Sequence, residues 1–155
     1  MGRFPGFLAV VVVAVAACSS GGSGNVTGPS NGTPGMSASI NGAAWQSAGP
    51  SAIYSHQILS IAGLNLSYGI GIAVGQLTTT GTYSLAYGNQ NAGSATVSNT
   101  TSGWGTGFPG GTGTITVTTL DATHVVGTFA FDAVPASGSG TGTVRVTNGQ
   151  FNIAF

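Results

Sequence analysis

A chain of 155 residues with two basic and two acidic side chains and no lysine cannot form the positive footprint that neutralises nucleic-acid phosphates or holds an anionic lipid surface. A single cysteine excludes a disulfide within the chain, and the length suits one folded domain. Low charge is joined here to 41% hydrophobic residues and 28 glycines, which argues for short strands joined by many turns rather than for disorder.

In chain order, the first feature is a short positive start, with Arg3, followed by an unbroken apolar run from Phe7 to Ala17. That run is about half of the ~20 residues a membrane-crossing helix needs, so residues 1–17 read as a secretory signal. The segment Val15-Ala16-Ala17-Cys18 resembles the lipobox of bacterial lipoproteins. The resemblance implies cleavage ahead of Cys18, a diacylglyceryl group on its thiol and acylation of the new amino terminus. The membrane is then the first expected partner, held through lipid on Cys18, since more than one acyl chain gives stable attachment. Ser19, where an aspartate would signal retention, implies the outer membrane by the same resemblance. An ordinary signal peptide with an incidental cysteine is the alternative.

Residues 18–35 carry the lipidated cysteine and a Gly/Ser/Pro-rich stretch that reads as a flexible tether. From 36 to 155 the pattern becomes period two. Met36, Ala38 and Ile40 lead into Asn41-Gly42, a strong hairpin signal, and the two-residue loop pairs Ile40 with Ala43 and Ala38 with Trp45. Leu64, Leu66, Tyr68, Ile70, Ile72 and Val74 form the longest alternating run, after a less regular strand over 58–63. Further strands are expected at 82–87, 113–120 and 124–134. At the end, Asn148-Gly149 reads as a second hairpin, pairing Val146 with Phe151 and Val144 with Ile153. No helical stripe of useful length occurs, and all six prolines fall outside these runs. The fold expected is all-β, a single antiparallel sandwich or barrel of about nine strands. If strands 124–134 and 143–147 pair with Phe131 opposite Val146, Asp132 faces Arg145 across the outer side.

The order of Ile40-Asn41-Gly42-x-x-Trp45, Gly113-Thr114-Ile115-Thr116-Val117, Gly127-Thr128-Phe129-Ala130-Phe131 and Thr147-Asn148-Gly149-Gln150-Phe151-Asn152 resembles a family of uncharacterised bacterial lipoproteins. The resemblance implies an all-β envelope domain and carries over no catalytic residue.

Candidate chemistry is quickly exhausted. Asp121 and Asp132 are the only carboxylates, and Asp121 lies in a hairpin loop where it would accept backbone hydrogen bonds. A metal site would need His56, His124 and an aspartate, and Asp121-x-x-His124 alone is weak. The serines around Ser139 lack a strand-to-helix elbow, and no helix follows the glycine-rich stretches to bind a phosphate. No catalytic residue, metal or cofactor is therefore expected. Trp104 and Phe108, in the glycine-rich segment 99–113, form the remaining candidate ligand site. Trp104 would either stack on a sugar ring or fold back onto the core. The function expected is a non-enzymatic, lipid-anchored binding or scaffolding domain, its partner a glycan or an envelope protein. A glycan-binding module using Trp104 is the alternative, and an enzyme ranks below both.

Overall fold

Asn41 and Gly42 both take positive φ, 51° and 85°, so the chain reverses within two residues. β1 (Gly35–Ile40) thereby pairs with β2 (Ala43–Gln46), Ile40 opposite Ala43 and Ala38 opposite Trp45, in the register expected from the sequence. The computed structural model to which this hairpin belongs describes residues 34–89, 93–138 and 140–155. Cys18 and nearly all of the expected tether lie outside the described residues.

A second tight hairpin follows without an Asn-Gly pair. His56 and Gln57, at φ 50° and 63°, join β3 (Ser51–Ser55) to β4 (Ile58–Leu64), with Ser55 opposite Ile58. The long alternating run beyond is divided. Asn65 Oδ1 accepts from the backbone N–H groups of Ser67 and Tyr68 at 2.9 and 2.8 Å, building a turn that leaves Leu66 fully exposed. β5 (Gly69–Val74) then returns beside β4, Leu64 opposite Gly69. The expected single run from Leu64 to Val74 is therefore two strands and a turn, because an asparagine side chain can satisfy a reversing backbone within an apolar pattern.

β6 (Gly81–Ser84), β7 (Ser94–Ser98), β8 (Ser102–Gly105), β9 (Thr112–Leu120), β10 (His124–Gly138) and β11 (Val144–Ala154) complete an all-β fold of eleven strands among the described residues. The sheet is antiparallel and curled. One half runs β6-β9-β10-β11-β1-β2, and the other runs β10-β8-β7-β5-β4-β3. β10 belongs to both, pairing with β9 up to Asp132 and with β8 from Val134 onward. Pro135 lies inside β10, opposite Trp104, against the expectation that every proline falls between strands. It sits beside an irregularity in the β8 ladder, where a missing N–H donor is tolerated.

The expected C-terminal hairpin is not formed. Asn148 (φ 52°) and Gly149 lie inside β11, in a bulge. Between Gly149 and Val146, β11 has one residue more than β10 between Phe129 and Phe131. β1 steps over the same extra residue, between Ser37 and Ser39. Phe151 faces Gly127 and Met36 instead of Val146.

One apolar core lies between the halves. Leu59, Ile61, Ile70 and Val97 enter from one, and Met36, Ile115, Val117 and Phe151 from the other. Each fully buried side chain of this size contributes ~1.5–3 kcal/mol by leaving water. Trp45 Nε1 of β2 donates to the Tyr68 carbonyl in the turn before β5 at 3.1 Å, and the Tyr54 ring of β3 stacks on Phe155 after β11 at 6.4 Å, so the edge strands β2 and β3 are each tied to the opposite half.

Candidate functional site

Trp104 lies in strand β8 rather than in a loop, and its side chain is buried in the core. Gly140 lies close over the indole, where a β-carbon would sit only 3.0 Å from the ring. The indole Nε1 is buried and has no hydrogen-bond partner among the described residues. In place of a sugar-stacking surface, the ring fills the core, as large aromatics do when a strand can carry them inward. Phe108 is 38% exposed and rests beside Gly105. The two aromatics form no common exposed platform.

Asp121 performs the turn role expected of it. Its Oδ1 accepts from the Thr123 and His124 backbone N–H groups at 2.8 and 2.9 Å and from the Thr123 hydroxyl at 2.8 Å. These bonds, the Thr123 backbone first, hold its carboxyl below the ordinary aspartate range. His124 Nδ1 meets the Thr123 hydroxyl, and His56 Nδ1 the Ser55 hydroxyl, in separate turns. Among the described residues no three His, Cys, Asp or Glu side chains cluster closely enough to hold a metal.

Asp132 faces Arg145 as expected, with Phe131 opposite Val146 and Ala133 opposite Val144. Arg145 Nε and Nη2 donate to the two carboxylate oxygens at 2.9 and 3.0 Å. Donating to the Asp132 carboxylate raises the guanidinium above its ordinary value. A solvated pair of this kind contributes ~0.2–1 kcal/mol, enough to favour one register and too little to hold a fold.

An open recess lies elsewhere, on the outer face of the β6-to-β2 half. There the registers align Thr82, Thr116, Thr128, Gln150, Ser37 and Gln46 in one row across six strands. Beside that row, the bulge leaves a hollow of about 430 Å³ lined by Thr114, Thr116, Thr128, Asn148 and Gln150 among others. A second, of about 230 Å³, is lined by Ser37, Ser39, Gly42 and Ala44 and shares Asn148 and Gln150 with the first. The two make one open furrow with no charged side chain along it. In the sequence, Ile115 and Val117 alternate with the threonines of the strand expected at 113–120. Their alignment with Gln150 and Ser37 depends on strand order, which periodicity along one strand does not carry.

Residues 32–153 match the family described as a domain of unknown function, DUF6252. The chain belongs to that family. Among curated proteins and among solved structures, nothing matches it.

Proposed function

We propose that this member of the DUF6252 family is a lipid-anchored protein of the bacterial cell envelope whose β domain binds or scaffolds a partner and performs no catalysis. The observation that carries the reading is Val15-Ala16-Ala17-Cys18 at the end of a short apolar run. The Gly/Ser/Pro-rich stretch behind it, before β1 begins at Gly35, suits a body held off a surface. Ser19 beside the cysteine favours the outer membrane. A non-catalytic role is supported by how the two carboxylates are used, Asp121 in closing a turn and Asp132 in pairing with Arg145. Neither carboxylate lines the furrow.

Expression of the full chain and of Cys18→Ser in a Gram-negative host tests the anchor. The native protein should enter the detergent phase on phase separation and carry acyl mass on its first residue after cleavage. Cys18→Ser should accumulate uncleaved or appear in the soluble fraction. Unchanged membrane association in that variant overturns the anchor. Turnover of a hydrolysable substrate that disappears on substitution of Asp121 or His124 overturns the non-catalytic reading.

A further inference from the structure

The furrow offers hydrogen-bonding groups of one kind only. Thr114, Thr116, Thr128, Ser37 and Ser39 present hydroxyls, and Asn148 and Gln150 present amides, so every one of them both donates and accepts. Ser37 lies in its floor at 4% exposure, a buried polar side chain at the base of an open recess. The furrow crosses β9, β10, β11, β1 and β2, four strand spacings of about 4.8 Å or roughly 19 Å in all. Its two hollows, 430 and 230 Å³, together span the size of a ligand site.

We propose that this furrow is a binding site for a neutral polysaccharide chain. A charged ligand would lose its hydration there without gaining a counter-charge. An apolar ligand would cover the hydroxyls and amides and leave them unpaired. A polymer of neutral sugars presents hydroxyls that also donate and accept, and an extended chain matches a furrow open along its length. The β11 bulge makes the recess by turning Asn148 out of the ladder that β1 and β10 continue on either side. With no exposed aromatic lining the furrow to stack on a ring, affinity falls in the weak, millimolar class and depends on several bonds at once. The proposal rests on reading the β domain as a binding domain and is independent of the anchor.

The full chain in detergent micelles is mixed in turn with dextran, maltohexaose and cellohexaose, with polygalacturonate as an anionic control, and binding is read by saturation-transfer NMR. The expected result is a response to at least one neutral chain and about tenfold less to polygalacturonate. Thr116→Val with Thr128→Val, and separately Gln150→Leu, should each weaken the neutral response about tenfold. Valine keeps strand propensity, and circular dichroism verifies that these variants fold. Ile53→Thr, on an exposed face of the other half, should leave binding unchanged. No response to any neutral chain, an equal response to polygalacturonate, or folded furrow variants that bind as the native protein does each overturn the proposal. Self-association abolished by the same variants, in place of sugar binding, assigns the face to a second copy and overturns it too. All furrow variants keep Cys18, so their failure leaves membrane partition unchanged and is separable from failure of the anchor.

Discussion

Gly127 lies directly opposite Phe151, and Gly149 directly opposite Phe129. A β-carbon at Gly127 would run into the Thr116 carbonyl oxygen and come within 2.5 Å of the Phe151 ring. One at Gly149 would strike the Phe129 ring and come within 2.5 Å of the Phe129 carbonyl oxygen. The missing side chains are thus the space into which the aromatic rings fold, a strand device in which a neighbouring ring covers bare backbone. Gly127→Ala should destabilise the protein by about 1–3 kcal/mol, because the backbone carbonyl in its way has no rotamer to change. Chemical denaturation with an unchanged m-value checks this, and a variant as stable as the native protein refutes the packing described. Composition announced many glycines and turns, yet these two serve the core. The partner of each glycine is set by register between strands, which a linear pattern does not reveal.

β11 shows at the level of an element why an alternating pattern leaves topology open. Val144 and Val146 face inward at even positions, and Phe151 and Ile153 at odd ones. A two-residue hairpin loop and a one-residue bulge both shift the phase in this way, so the faces agree with either, and Asn-Gly supplies positive φ for both. What decides is that β1 and β10 flank β11 along both sides of the bulge, so it has no need to fold on itself. Asn41-Gly42 had no such flanking partner on its far side and made the turn. The hairpin at His56-Gln57 carries no turn signature in the sequence, whereas the pairing of Asp132 with Arg145 follows directly from the apolar register around it. The candidate site was less legible than the fold. A tryptophan among glycines reads as loop in the sequence, and the furrow depends on how β9, β10 and β11 from one end of the chain register with β1 and β2 from the other. Deleting Asn148 should turn Phe151 and Ile153 to solvent relative to Val146 and abolish cooperative thermal unfolding. Asn148→Gly, which keeps the left-handed backbone, should melt within a few degrees of the native protein. A deletion variant that melts cooperatively at the native temperature removes the bulge from the account.

At the scale of the whole molecule, the shortage of ionisable groups limits how protons act on stability. The turn that Asp121 closes holds its carboxyl below the ordinary range. Its contribution is complete above the unfolded aspartate value of ~3.9 and is lost as pH falls through the lower folded value. Stability should therefore stay level from about pH 5 to 9 and decline only gently below about pH 4, as its exposed position implies. Calorimetric melting across that range tests this, and a wide swing near pH 6 would require a role for His56 or His124 in holding the fold.

The pairing of β1 with β11 also sets a timetable. β1 waits for β11, far along the chain, so the ladder between them cannot close until β11 is free to join it. Contacts of such sequence separation form slowly, in the range of milliseconds to seconds. Until then β1 carries an open edge with no charged side chain along it, and any second nascent copy offers the same edge. The interval between emergence of Ile40 and arrival of Val144 is thus the period in which this chain most needs to be kept from its neighbours.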